Sequence, residues 1–140
     1  MKKYFIAAYS ILCIGMANVN AQISVIHNFN DTLGRYPIGS LTLSGNRLFG
    51  MTSQGGAKDS GCIFSINKNG SGYKDICDFN GKNGAHPIAD LVVSGNTLYG
   101  MTFEGGANQY GCIFSIDTNG SGYKDLHDFN TSPVYILRPL

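Results

Sequence analysis

The residues of this chain best suited to metal chemistry recur at an interval of fifty: His27, Cys77 and His127. Imidazole and thiolate groups are ligands for zinc and other soft metals, and three such groups could meet at a common axis. A metal site within one unit would need a second ligand close by. The residue after each of the three points to the other side of an extended strand, so it cannot supply one. We therefore interpret the three as structural residues and predict neither a metal nor a cofactor.

Two further cysteines, Cys62 and Cys112, occupy equivalent positions fifty residues apart. A disulfide would be compatible with an exported protein, but no pair is implied by the spacing and the processed chain would hold an odd number of thiols. We predict that Cys62 and Cys112 are small buried apolar residues.

A calcium loop is the second candidate for ion binding, because Asp117–Gly122 begins with oxygen ligands at alternate residues. The equivalent segment of the first copy starts with Asn67, the fifth position is Ser121, and no glutamate follows at the twelfth position. Since the Asn-Gly pair already specifies a tight turn, we predict a hairpin turn here.

Acid–base catalysis has little support in the sequence. Glycoside hydrolysis requires two positioned carboxyl groups, yet Glu104 is the only glutamate and its counterpart is Gln54. Asp75 and Asp125 lie within repeated strands, where hydrogen bonding to a loop or a neighbouring strand is the expected role. No local motif of a catalytic triad is present. We predict no catalysis by this chain itself.

The elements that position these residues belong to a repeat. Residues 27–76 and 77–126 align without a gap and are identical at 29 of 50 positions. A third copy begins at residues 127–130 and is not continued. The segment 131–140 lacks the glycines that the pattern requires and reads as an irregular tail.

Each unit contains four predicted strands and no helix. In the first copy these are approximately Ile38–Ser44, Arg47–Ser53, Cys62–Asn67 and Tyr73–Phe79, and the second copy repeats them fifty residues later. Gly and Asn residues punctuate the strand pairs as hairpin turns do. Several strands carry apolar residues on both sides, so they need cover on two faces. The sequence therefore predicts an all-β fold of two four-stranded antiparallel repeats, like the blades of a β-propeller in an incomplete ring.

The conserved segments also carry a family resemblance. Leu48–Thr52, Gly55-Gly56, Gly61–Ile66 and Asn69-Gly70, with their equivalents fifty residues later, resemble the GloVer-type (Gloeo_Verruco) bacterial tandem repeat. The resemblance covers residues 27–130 and implies an exported, propeller-like protein of several repeats without assigned catalysis. Two departures are Met51 and Met101 in place of threonine, and cysteine at 62 and 112 in place of threonine or valine. Kelch repeats are a weaker match, because their tryptophan is absent.

The N-terminal residues are typical of a signal peptide at 1–21. Lys2 and Lys3 precede an apolar stretch, and small residues at Val19 and Ala21 precede a predicted cleavage before Gln22. The repeat region then spans residues 22–130, and we expect a periplasmic, cell-surface or secreted location. Without Lys2 and Lys3, eight basic residues stand against nine acidic ones, a net charge of −1. This balance argues against a nucleic-acid partner, and the processed chain has no membrane span.

Two repeats are fewer than the four to eight sheets of a closed propeller. We therefore expect the chain to be a fragment of a longer protein, with the tail at 131–140 marking a truncation. The alternative is a genuine small protein whose last segment pairs with residues 23–29 or with another copy. Open blade faces also make self-association a possible interaction.

Differences between the copies mark where a ligand could be discriminated. The copies diverge in three strand-end loops, at 31–36 against 81–86, 53–54 against 103–104, and 58–60 against 108–110. Loops on rigid sheets often carry binding function. We predict that a recognition surface for a protein or a glycan includes Arg35, Tyr36, His86, Phe103, Glu104 and Tyr110. The function predicted is binding or surface interaction, and the alternative is part of a carbohydrate-active propeller enzyme whose catalytic residues lie elsewhere.

Overall fold

The computed structural model describes residues 23–130, so the predicted signal peptide at 1–21 and the tail at 131–140 lie outside the described residues. This part of the chain forms two four-stranded antiparallel sheets and contains no helix. Sheet one orders its strands as β1 (Thr42–Ser44), β2 (Arg47–Thr52), β3 (Cys62–Asn67) and β4 (Lys74–Asp78). Sheet two orders them as β5 (Val92–Ser94), β6 (Thr97–Met101), β7 (Cys112–Asp117) and β8 (Lys124–Asp128).

The two sheets share one register, shifted by fifty residues. Leu48 pairs with Ile66 in sheet one, and Leu98 pairs with Ile116 in sheet two. Both sheets also carry a bulge in the fourth strand, where Ile76 and its equivalent Leu126 are the extra residues and the register to the third strand shifts. The predicted all-β fold of two four-stranded antiparallel repeats is thereby confirmed.

The Asp117–Gly122 segment is a hydrogen-bonded turn between β7 and β8. The amide of Gly120 donates to the carbonyl oxygen of Asp117 at 2.8 Å, and the amide of Ser121 donates to Asn119 Oδ1 at 2.8 Å. Gly120 has a φ of 91°, which a residue with a side chain rarely adopts. The turn predicted from Asn-Gly is confirmed, since the oxygen atoms of Asp117 and Asn119 accept hydrogen bonds from the turn itself.

The first strand of each sheet is shorter than predicted. The segment expected to start at Ile38 pairs with β2 only from Thr42 onwards. The residues before it contact the second repeat instead: the Ser40 amide donates to Asp90 Oδ1 at 2.6 Å, and a Cβ at Gly39 would lie 2.6 Å from the carbonyl oxygen of Ala89. Contact between the repeats therefore replaces pairing within the sheet.

One hydrophobic core lies between the two sheets. Side chains alternate across a strand, so Phe49 and Met51 point to the same face of sheet one. That face packs against the facing side of sheet two in a cluster of eight buried residues: Phe49, Met51, Ile63, Phe79, Leu91, Leu98, Phe114 and Ile116. The Phe79 and Phe114 rings meet edge to face with centroids 5.4 Å apart. Each sheet thus covers one apolar face with its neighbour, as the two-sided strands predicted.

The described residues 23–130 contain no helix that is long and apolar enough to cross a membrane.

Candidate functional site

The loops that differ between the copies lie at one end of the two sheets. In an antiparallel sheet the end of β2, the start of β3 and the end of β4 fall on the same side. The segments 30–36 and 53–61 therefore meet at this end of sheet one, and 80–86 and 102–111 meet at the same end of sheet two. We call these four segments the rim.

Arg35 is fixed by charged neighbours within the rim of sheet one. Its Nη2 atom donates to both carboxylate oxygens of Asp59 at 3.0 Å, and its Nη1 atom donates to Asp31 at 3.3 Å. The guanidinium carbon also lies 5.7 Å from the centre of the Tyr36 ring. Arg35 and Tyr36 are thereby brought together, and Tyr36 is 60% exposed.

His86 joins the two repeats at the rim. Its amide donates to the carbonyl oxygen of Ser60 at 2.9 Å, and its Nδ1 atom lies 2.8 Å from the carbonyl oxygen of Ser53. The Ser53 amide in turn donates to the carbonyl oxygen of Tyr36 at 3.0 Å. Sequence comparison did not single out Ser53 or Ser60 as partners of His86, because both act through backbone atoms.

Phe103 and Glu104 extend this row into sheet two. The Phe103 amide donates to the carbonyl oxygen of His86 at 3.3 Å, and Glu104 exchanges two backbone hydrogen bonds with Ala85. The Glu104 carboxylate lies 3.9 Å from Nε2 of His86, close enough for an ion pair when the imidazole is protonated.

Tyr110 stands apart from the other candidates, in the loop that precedes β7. Its backbone forms a parallel bridge with Gly105, and its ring is exposed. The six predicted residues thus form two neighbourhoods and one outlier: Arg35 with Tyr36, His86 with Phe103 and Glu104, and Tyr110 alone.

The sequence analysis missed a carboxylate pair in β4, Asp75 and Asp78. The two residues lie opposite Phe64 and Cys62 and carry their carboxyl groups towards the same side, because Ile76 between them is the extra residue of a bulge in β4. Asp78 Oδ1 accepts a hydrogen bond from the Ala57 amide at 3.0 Å, and its equivalent, Asp128, accepts one from the Ala107 amide at 2.6 Å. The sequence signal for this pair is two aspartates three residues apart, which occur in both copies. The second aspartate, Asp78 or Asp128, ties the Gly-Gly loop to the fourth strand of its sheet.

Burial changes the acidity of Asp75. Desolvation, reinforced by the nearby Asp78 carboxylate, raises the pKa of Asp75 to about 6. Its Oδ1 atom is buried without a hydrogen-bond partner. A retaining glycosidase also contains a carboxyl group with a raised pKa, but there the second carboxylate is free to act as a nucleophile. Here Asp78 is held by a backbone amide of the loop.

The two equivalent cysteines are closed off from solvent. Cys62 and Cys112 are both 0% exposed, which confirms the prediction of small buried residues. The Thr52 hydroxyl accepts the Cys62 amide at 3.2 Å and contacts its sulfur at 3.3 Å. Burial raises the pKa of the Cys62 thiol to about 11, so the thiolate that nucleophilic chemistry needs is scarce at neutral pH.

His27, Cys77 and His127 each lie in a different environment. The His27 ring stacks on Tyr73 with centroids 4.1 Å apart, Cys77 packs against the core between the sheets, and His127 meets Phe129 edge to face. Within residues 23–130, no group of three His, Cys, Asp or Glu side chains is placed to hold a metal ion.

The fold and the rim define an all-β tandem-repeat protein built from stacked four-stranded sheets with variable loops at one end. The chain belongs to the Gloeobacter/Verrucomicrobia repeat family, whose model matches residues 13–136. A search among curated proteins found no match to the chain.

Proposed function

We propose that this protein is an exported, propeller-like repeat module that binds a protein or a glycan through its rim and performs no catalysis of its own. Each four-stranded sheet corresponds to one blade in this proposal. Support comes from the face-to-face stacking of two sheets with identical register, which is how propeller blades bury their apolar sides. Export is supported by the signal-like N-terminal sequence.

The observation that carries the binding role is the row of hydrogen bonds along the rim. It runs from Tyr36 through Ser53 and His86 to Phe103 and joins the variable loops of both repeats. Loops held in this way present their side chains with little freedom left to lose, which favours binding. The exposed rings of Tyr36 and Phe103 beside Arg35 and Glu104 combine apolar area with charge, as recognition surfaces do.

A two-part binding experiment tests this proposal. The processed chain is applied to a glycan array, and in parallel a photo-crosslinking residue at Tyr110 captures proteins from the cell envelope. We expect a ligand in one of the two experiments. Arg35→Ala and Glu104→Gln should each weaken it on the order of tenfold, while Lys68→Ala in the turn at the opposite end should leave it unchanged. The same ligands are incubated with the chain to detect hydrolysis.

Two results would contradict the proposal. The absence of any ligand in both experiments would remove the binding role, and equal binding by Arg35→Ala and the Lys68→Ala control would remove the rim as its site. Hydrolysis of a bound glycan by the wild-type chain that Asp75→Asn abolishes would also contradict the absence of catalysis.

A further inference from the structure

Each sheet has one apolar face that its neighbour does not cover. On sheet two this face carries Tyr99, Met101 and Ile113, and we call it the donor face. Tyr99 is 40% and Met101 45% exposed, whereas Met51, at the position equivalent to Met101, is 4% exposed inside the core. Scattered exposed apolar residues are ordinary, but a face whose equivalent is a core marks an interaction surface.

The opposite face of sheet one is covered by no sheet, and we call it the receiving face. Leu48, Phe64 and Ile66 lie on it. Phe64 and Ile66 are already 3% and 2% exposed, with the Phe29 and Tyr73 rings packed on Phe64. Leu41 at its border is 51% exposed, whereas its equivalent Leu91 is 3% exposed under sheet one. A groove of about 210 Å³ is lined by Leu41, Phe64 and Ile66 together with the N-terminal residues Ile26 and Phe29.

The groove has the shape of the filled interface although no sheet covers it. A Cβ at Gly50 would lie 2.7 Å from the Phe64 ring and 2.9 Å from the Leu41 side chain. At the equivalent Gly100, inside the core, the distances to Phe114 and Leu91 are 2.6 and 3.0 Å. The walls of the receiving face therefore stand where they stand in the occupied copy, so sheet one itself needs little reorganisation to bind another sheet.

We propose that the donor face of one copy of this chain binds the receiving face of a second copy and reproduces the interface between sheets one and two. Five residues on the receiving side are identical to those of the internal interface: Leu41, Leu48, Phe64, Ile66 and Tyr73 repeat as Leu91, Leu98, Phe114, Ile116 and Tyr123. On the donor side Met51 and Ile63 repeat unchanged as Met101 and Ile113, and Phe49 becomes Tyr99. The inference rests on the stacking of sheets and needs no ligand at the rim.

A head-to-tail contact of this kind is heterologous, so it closes into a ring or continues as an array. About two to four copies would supply the four to eight sheets of a closed propeller. The bound state therefore has a defined stoichiometry if the ring closes.

Divergence at the rim fits this junction. Inside one chain, His86 bonds to Ser53 and Ser60 across the interface. The equivalent positions between two copies are Tyr36, Phe103 and Tyr110, which are all exposed aromatic residues. Polar contacts thus serve the permanent internal junction, and three aromatic rings are available for the junction between copies.

The N-terminal residues restrain this association. Phe29 meets Phe64 edge to face with centroids 5.0 Å apart, as Phe79 meets Phe114 at 5.4 Å. A second copy would bring Phe129 to that same place, because Phe129 is the equivalent of Phe79. Phe29 and Phe129 compete for one position, so residues 26–29 form a plug that the second copy displaces.

Sedimentation of the processed full chain over a range of concentrations tests the proposal. We expect reversible association into a discrete oligomer or an array. Met101→Asp should weaken it at least about tenfold, because an unpaired charge would be buried. Phe129→Ala should weaken it on the order of tenfold, and Phe29→Ala should strengthen it severalfold by removing the competitor. Lys68→Asp, in the far turn, is the control for added negative charge.

The substitutions at Met101 and Phe129 lie on partly exposed positions, and circular dichroism would establish that the sheets persist. A wild-type chain that stays monomeric at about millimolar concentration, the weak end of specific binding, would overturn the proposal. Association that Met101→Asp and Lys68→Asp leave equally strong would also overturn it. Binding of a glycan or a protein at the rim is a separate property, and its absence would not change how the sedimentation results are interpreted.

Discussion

The two sheets are copies of one sequence unit in two different environments. Each sheet has one face covered by the other sheet, and the covered faces are opposite faces of the unit. On the face that carries methionine, sheet one is buried and sheet two is exposed: Met51 is 4% and Met101 45% exposed. On the other face the difference is confined to the border: Leu91 is 3% and Leu41 51% exposed, whereas Phe64 and Ile66 are as buried as their equivalents. At Met51 and Leu41 the burial of a residue is therefore decided by the position of its unit in the stack.

The largest effect that follows from this comparison concerns the methionines. Met51→Ala should lower the free energy of unfolding by about 2–5 kcal/mol, because a cavity is left between the sheets. Met101→Ala, the same change at the equivalent position, should cost less than about 0.5 kcal/mol in the monomer. Urea unfolding at a concentration where the chain is monomeric measures both.

The control for this pair is the unfolding slope, which should be unchanged if both variants keep two-state behaviour. Equal losses for the two methionines would show that the donor face is covered within one chain. That outcome would also weaken the case for a second copy.

Much of this architecture could be predicted from the sequence because the signals are local. Asn-Gly turns and the fifty-residue period place all eight strands, and β3 agrees with the prediction at both ends. The start of β1 could not be predicted, since the amide of Ser40 is satisfied by Asp90 of the other repeat. The sequence also could not predict which faces remain exposed, because Met51 and Met101 are the same residue at equivalent positions and only the neighbouring sheet distinguishes them.

The candidate site was less predictable for a related reason. Copy divergence located Arg35 and His86 at the rim, but it gave no indication that Ser53 contributes a backbone oxygen to the His86 ring. The pairing of Asp75 with Asp78 depends on the bulge at Ile76 in their own strand, which shifts the register between them. A bulge changes the side of the sheet that a residue faces, and no sequence pattern in this segment predicted one.

An intermediate effect is expected from the carboxyl group of Asp75. Its pKa is raised to about 6 in the folded protein from an ordinary value of 3.8. The folded state therefore holds the proton more tightly, and the associated stability is fully present below pH 3.8 and is lost as the pH rises through about 6. Asp75→Asn should stabilise the protein at pH 7 on the order of 1 kcal/mol, because it removes the cost of ionising a half-buried carboxyl group beside Asp78, a cost that solvent screening reduces.

The same substitution should change little at pH 4, and the matched variant Asp125→Asn should have a smaller effect throughout. Desolvation raises the pKa of Asp125 as well, but this residue lies on the exposed fourth strand of sheet two. Thermal unfolding from pH 4 to pH 8 measures both variants. A stability gain for Asp75→Asn that is constant over this range would contradict the assignment to ionisation.

The smallest effect concerns the ion pair of Arg35 with Asp59, which sheet two lacks because Ala85 and Gln109 stand at the equivalent positions. The loops nevertheless adopt one conformation, with φ of 52° at Asp59 and 66° at Gln109. Backbone bonds such as that between Arg35 and Gln54 hold this shape in both sheets. The exposed pair should therefore contribute no more than about 1 kcal/mol, measured as the coupling in a cycle of Arg35→Ala and Asp59→Asn. A coupling above about 2 kcal/mol at physiological salt would mean that the ion pair shapes the loop. Arg35 would then be a structural residue, and its guanidinium would not be available to a ligand at the rim.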